Sequence, residues 1–206
     1  MDTNFLMQVL GSIAPLSADL KERFIQLLKE TTHSKRTLLL SPGQTCKKIW
    51  FLKQGSARAY YINPHGKQCT SWFMNSGDVM ISVYSFLSQK PAFEYIEVLE
   101  QSTLQSISYQ QLQELYSEYP ESNQLGRKIT EHYYILSEQR AILLRTTTPE
   151  ERYLKMLGDQ PRLFEKMSQK QVASYLGISH ETLSRLRGKL PSLSEQKILQ
   201  QKLIHI

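Results

Sequence analysis

The sequence predicts an α+β chain: an N-terminal antiparallel β-roll, one long helix, and a C-terminal helix-turn-helix. Three observations predict it. Gly43, Gly55, Gly66 and Gly77 recur every eleven or twelve residues among runs rich in Val, Ile, Thr and aromatics, the rhythm of short antiparallel strands. From about Glu121 to Arg145 helical spacing runs uninterrupted. Met167–Leu190 then holds two short capped segments around a single glycine. The expected domains are a β-roll domain with flanking helices at 1–120, a linking helix at 121–147 and a helix-turn-helix domain at 148–206.

Residues 17–30, SADLKERFIQLLKE, read as a helix, with Ser17 as cap and Leu20, Phe24, Leu27 and Leu28 on one stripe. Strands follow at Thr37–Leu40, Lys48–Lys53, Ala57–Ile62, Lys67–Phe73, Tyr95–Glu100 and Leu104–Tyr109, separated by turn signals such as Ser41-Pro42-Gly43-Gln44 and Asn63-Pro64-His65-Gly66. Gln110–Tyr116 reads as a short helix that Pro120 ends. In the long helix Leu125, Ile129, His132, Leu136, Gln139 and Leu143 alternate spacings of four and three, a heptad-like seam. Ile135 and Ile142 widen it, and Tyr133 and Tyr134 flank it. Leu125, Ile129, Leu136 and Leu143 are therefore candidates for a dimer seam shared with packing on the chain's own β-domain. Thr148-Pro149-Glu150-Glu151 opens the next helix, Glu150–Leu157: Thr148 caps, proline takes the first turn and Glu151 reaches back.

Composition excludes several classes. Two cysteines, Cys46 and Cys69, and five scattered histidines offer no metal-ligand grouping, so neither a metal nor a cofactor is expected. No triad or paired catalytic carboxylates stand out, and no enzyme activity is expected. No run is apolar enough to span a membrane, and Met1-Asp2-Thr3-Asn4 lacks a signal-peptide start, so a cytoplasmic protein without a membrane partner is expected. The net charge is +6, of which +4 falls in residues 149–206. The excess sits where a polyanion would be met.

Ser168-Gln169-Lys170-Gln171 has the form of a capping box, Val172 and Ala173 face inward, and Gly177 stands where a left-handed turn is needed. Ser179 caps a second helix whose Leu183 and Leu186 face inward. A second helix of this kind enters the major groove. His180, Glu181 and Arg185 are candidates for base edges. Ser168, Lys170, Ser179, Thr182, Arg187 and Lys189 are candidates for phosphates. A helical hairpin with a solvated face that contacts another protein is the competing reading.

Gln171–Arg185, QVASYLGISHETLSR, closely resembles the helix-turn-helix of the cyclic-AMP receptor/FNR (Crp/Fnr) superfamily, with its G-x-S-x-E-T-x-x-R core at Gly177, Ser179, Glu181, Thr182 and Arg185. Leu40–Gly43, Phe51–Gly55, Gly66, Gly77-Asp78 and Ile107-Ser108-Tyr109 resemble the β-roll of that family. The resemblance implies a cyclic-nucleotide-binding-like jelly roll and a homodimer that reads a two-fold-symmetric operator in double-stranded DNA and works with RNA polymerase. It departs from the family at His180, where many members carry arginine, and in a tail, PSLSEQKILQQKLIHI, that reads as helix rather than winged hairpin.

Members that bind cyclic nucleotides use a glutamate for the ribose and an arginine for the phosphate. Aligned through Gly77-Asp78 and Ile107-Ser108-Tyr109, this chain has Ser82 and Ala92 there, with Phe93 next, and no arginine between Arg58 and Arg127. A buried phosphate without a charged partner forfeits about 1.5–3 kcal/mol per hydrogen bond. The chain thus reads as a subgroup that does not answer to cyclic AMP. Trp72, Ser82, Tyr84, Ala92 and Phe93 form a candidate apolar effector pocket, or the aromatics simply fill core; the effector is unknown. A cupin-type enzyme is a rival that lacks its metal triad, and a ligand-binding β-roll with a protein-binding tail is another. Leu136→Glu is expected to break the seam, so sedimentation should find a monomer in place of the dimer.

Overall fold

The structure, a computed structural model, describes residues 4–159 and 166–189. The elements, in order, are α1 (Asn4–Ile13), α2 (Ala18–Leu27), β1 (Lys29–His33), β2 (Leu38–Leu40), β3 (Lys48–Gln54), β4 (Ser56–Ile62), β5 (Gln68–Asn75), β6 (Val79–Met80), α3 (Val83–Ser88), β7 (Tyr95–Val98), β8 (Ser102–Ser108), α4 (Tyr109–Glu118), α5 (Pro120–Thr146), α6 (Pro149–Asp159), α7 (Gln169–Leu176) and α8 (His180–Lys189). The chain divides into two compact units, Met1–Arg140 and Ala141–Ile206, with the break inside α5. No helix among the described residues is long and apolar enough to cross a membrane.

In the first unit the strands pair antiparallel in two four-stranded sheets, β1-β8-β3-β6 and β2-β7-β4-β5. This is the jelly-roll arrangement, with helices at its ends. Leu52, Ala57, Ala59, Met80, Ile96 and Leu104 fill its core, which continues into Leu6, Leu10, Leu20 and Phe24 of the first two helices. Asn63 shapes the β4–β5 hairpin: its Oδ1 accepts from the His65 and Lys67 amides at 3.0 Å each.

Alternation along β4 sends Ala57 and Ala59 into that core, so Arg58 and Tyr60 lie on the other face. Arg58 is nonetheless only 3% exposed. Glu97, its register partner on β7, accepts from Nε at 2.9 Å and from a terminal nitrogen at 2.6 Å. Gln68 and Thr70 of β5 accept the remaining contacts at 2.7 and 3.4 Å. The guanidinium lies 4.1 Å over the Tyr60 ring, which stacks on Tyr95 at 4.9 Å. The buried charge is thus paired, hydrogen-bonded and covered on its flat face.

Several elements depart from the sequence expectation. The first helix stops at Leu27, and Lys29–His33 forms β1; pairing with β8 outweighs the helical leaning of Lys29 and Glu30. The helix α1, the two-residue β6 and α3 were not expected. Leu6 and Leu10 are buried, so α1 does carry an apolar face, although a short one. The helix α6 runs through Gly158 to Asp159. The tail read as helix in place of a wing, residues 191–206, lies outside the described residues.

The helix α5 docks on the roll through Leu125, buried in the core, and Ile129, packed against it. The Tyr133 hydroxyl accepts the Val79 amide at 2.9 Å, and burial pushes that phenol up to about 12. Leu125 and Ile129 thus supply the packing on the chain's own β-domain that a shared seam calls for. Tyr134, Ile135 and Ile142 remain exposed.

Gly55 has φ +107, and a Cβ there would sit 2.0 Å from the Ser102 Oγ and 2.9 Å from its Cα. Gly55→Ala is therefore expected to lower stability by about 2–4 kcal/mol, through left-handed strain and overlap with backbone. Urea unfolding followed by circular dichroism measures it.

Candidate nucleic-acid interface

In the second unit, Ser168 opens α7 with both halves of a capping box: its Oγ accepts the Gln171 amide at 3.3 Å, and the Gln171 side chain accepts the Ser168 amide at 2.9 Å. Val172, Ala173 and Leu176 are buried. Gly177 closes the helix at φ +66, which only glycine takes without strain, and the Ile178 amide donates back to the Ala173 carbonyl at 3.0 Å. Ser179 caps α8 through the Thr182 amide at 3.1 Å. Leu183 is wholly buried and seats α8 on its unit.

With Leu183 inward, His180, Glu181, Ser184 and Arg185 are exposed. Glu181, Ser184 and Arg185 fall at helical spacing on one face. Arg185 donates to the Thr182 hydroxyl at 3.3 Å, which holds its guanidinium along the N-terminal half of the helix. Ser168, Lys170, Ser179 and Lys189 are exposed, and Thr182 is half-buried. Arg187 is exposed as well, but it hydrogen-bonds the phenol of Tyr153 on α6, whose pKa burial raises and this contact lowers. Its charge is turned toward α6.

Two residues of α6 had no part in the sequence reading. Arg152 and Tyr153 are buried with Met156 and Leu157. The Arg152 Nε donates to the Leu176 carbonyl at 2.8 Å, and a terminal nitrogen donates to the Thr147 carbonyl. The available signal was an arginine on the apolar stripe of an amphipathic helix.

The candidate effector residues have different surroundings. Trp72 is half-buried and meets Tyr133 edge-on at 6.5 Å. Ala92 is core. Tyr84 and Phe93 touch each other at 5.0 Å on the surface, Phe93 being 66% exposed; the pocket they were expected to line is corrected to an outward patch. Ser82 is buried and bonds instead to Glu94, a residue the sequence reading passed over. Glu94 is 8% exposed; burial raises its pKa, against hydrogen bonds from Ser82 and Tyr61 that lower it. Tyr61 is pushed up to about 12, by burial first and then by that carboxylate. Close by, the Cys46 amide donates to the Ser85 Oγ at 2.8 Å.

Because the Glu94 carboxyl holds its proton more tightly folded than unfolded, the stability it lends is full below the ordinary value of 4.5. That stability is lost as pH rises through its higher folded pKa. Glu94→Gln should therefore match the parent in acid and gain on it as pH climbs above about 4.5, then level off. Thermal melts of both proteins across pH check this; a constant difference would refute it.

Comparison with known proteins places this geometry. Residues 30–119 match the family model of the cyclic nucleotide-binding domain, a stretch that spans the strands of the β-roll. The chain is 25% identical over 162 residues to the fumarate and nitrate reduction regulatory protein of Vibrio cholerae, covering 73% of this chain and 64% of that relative. It is 22% identical to electron transport regulator A of Shewanella oneidensis over the same shares. The chain thus spans just under two thirds of the length of the curated relatives it matches. Among solved structures it is similar to FixK2 of Bradyrhizobium japonicum, with a TM-score of 0.70 at 19% identity, covering 79% of this chain and 84% of that one. It is similar too to the c-di-GMP-responsive global regulator CLP of Xanthomonas campestris, with a TM-score of 0.68 at 20% identity, covering 84% and 91%. The Vibrio, Shewanella and Xanthomonas proteins carry regulation in their names.

Proposed function

We propose that this chain, whose β-roll matches the cyclic nucleotide-binding domain and whose relatives are Fnr-like, is a homodimeric, sequence-specific DNA-binding transcription regulator. The observation that carries the proposal is α8: a capped helix seated by Leu183, with the polar edge of His180, Glu181 and Arg185 exposed. Arg185 is assigned to guanine O6 and N7, Glu181 to cytosine N4, and His180 to a guanine acceptor. Ser168, Lys170, Ser179, Thr182 and Lys189 are assigned to phosphates; Arg187 joins them only if it leaves Tyr153. The dimer forms along the later part of α5, where Leu136 and Leu143 are half-buried and Tyr134, Ile135 and Ile142 are exposed. The operator is then two-fold symmetric, the cell compartment is the cytoplasm, and RNA polymerase is the further partner that the family resemblance implies.

The β-roll is proposed not to answer to cyclic AMP. Ser82 and Ala92 stand where nucleotide-binding members carry glutamate and arginine. A buried carboxylate, Glu94, sits against Ser82, where an incoming phosphate would meet a second anion rather than a cation.

Enrichment of bound duplexes from a random library tests the reading; recovery of no shared motif would overturn it. On the recovered duplex, Arg185→Ala is expected to cost about 1–3 kcal/mol and to relax discrimination at one base position. Titration by fluorescence anisotropy measures both.

A further inference from the structure

Arg152 and Tyr153 are neighbours on α6, and each holds a different helix of the DNA-binding pair. We propose that the two act as positioning residues, fixing α7 and α8 against the end of α5 so that α8 meets DNA in one orientation. The proposal rests on the DNA-binding reading above and adds the parts that aim it.

A guanidinium that is 8% exposed needs good acceptors to repay its desolvation. Arg152 finds two at helix ends. Leu176 is the last residue of α7 and Thr147 directly follows α5, so both carbonyls are among those a helix leaves without an internal partner. They also carry the negative end of the helix dipole. One planar fork therefore ties α7 to α5 through α6, with less entropy lost per bond than a lysine would lose. Next to it, the buried Tyr153 phenol hydrogen-bonds Arg187 of α8. The turn between the two helices lies at the same end: a Cβ on Gly177 would stand 3.5 Å from the Leu144 side chain of α5. The tilt of α8 is thus set from three sides, by the turn, by Leu183 and by α6.

The clasp has a second consequence. Arg187, an exposed cation, is drawn toward α6 rather than offered to any passing phosphate. Non-specific binding is mainly cation–phosphate attraction. Holding one arginine back lowers it without touching the residues assigned to base edges.

The test uses the full chain, a duplex enriched from the random library, and a scrambled duplex of equal length, titrated over a range of salt. Tyr153→Phe removes one hydroxyl and frees Arg187. It should bind the scrambled duplex more tightly, steepen the salt slope by about one contact, and cut the specific-to-scrambled ratio about tenfold. Arg152→Lys keeps the charge but loses the fork; it should weaken the specific duplex about tenfold while leaving scrambled binding nearly unchanged. Ratios like the parent's in both variants, with only the melting temperature lowered, would mean the pair serves stability alone and would overturn the proposal. Should Arg152→Lys fail to fold, nitrogen-15 NMR of the parent decides: the Arg152 Nε–H is expected to exchange slowly, and rapid exchange overturns the clasp. A parent that enriches no duplex defeats the function reading itself, whereas failure confined to the variants defeats only this inference.

Discussion

The β-roll depends on one register, that of β4 between β5 and β7. Every residue from Ser56 to Tyr60 is buried, so the strand has no wet face to relieve a misplaced charge. Arg58 is tolerable there only because Glu97 stands directly opposite and Gln68 and Thr70 accept its other protons. A slip of one residue would move Glu97 to the far face and leave the guanidinium buried and unpaired. The same strand leads into Tyr61, whose hydroxyl meets Glu94. The register that neutralises Arg58 therefore also carries Tyr61 to the buried Glu94.

Helix α5 is divided in its loyalties. Its early turns give Leu125, Ile129 and Tyr133 to the roll, and Lys128 donates to the Ile13 carbonyl at 3.0 Å. Its later turns keep Ile135 and Ile142 exposed. A single heptad pattern thus serves two kinds of packing, which is why spacing alone could not separate them. In the second unit the division of labour is sharper. Leu183 holds α8 by apolar burial, which is strong but non-directional. Arg152 and Tyr153 hold by hydrogen bonds, which are weaker in net but fix angles.

Much of this was legible in the residues. The glycines at 43, 55, 66 and 77 all take positive φ, and the turns they make separate strands close to those expected. The capping box at Ser168, the left-handed Gly177 and the cap at Ser179 follow from side-chain chemistry that acts within four residues, so local sequence was enough. Lys29–His33 reads as the end of a helix because its strand exists only through β8, some seventy residues on. The helix α3 leaves no signal in the sequence because six residues carry too little periodicity to stand out from a loop. Tyr84 and Phe93 were expected to turn inward because large aromatics usually do; the fold leaves them outside.

The sequence by itself determined the architecture and the paired helices α7 and α8: turn chemistry, helical spacing and caps are short-range, and each leaves a mark on neighbouring residues. Only the tertiary structure decided where the polar groups end up. Arg58 met Glu97, Ser82 met Glu94, and Arg152 met two helix ends because distant segments came together. A charged side chain carries no sign in one dimension of whether it will be solvated or buried. Its cost and its use are settled by the partners that the fold brings within about 3 Å, the reach of a hydrogen bond.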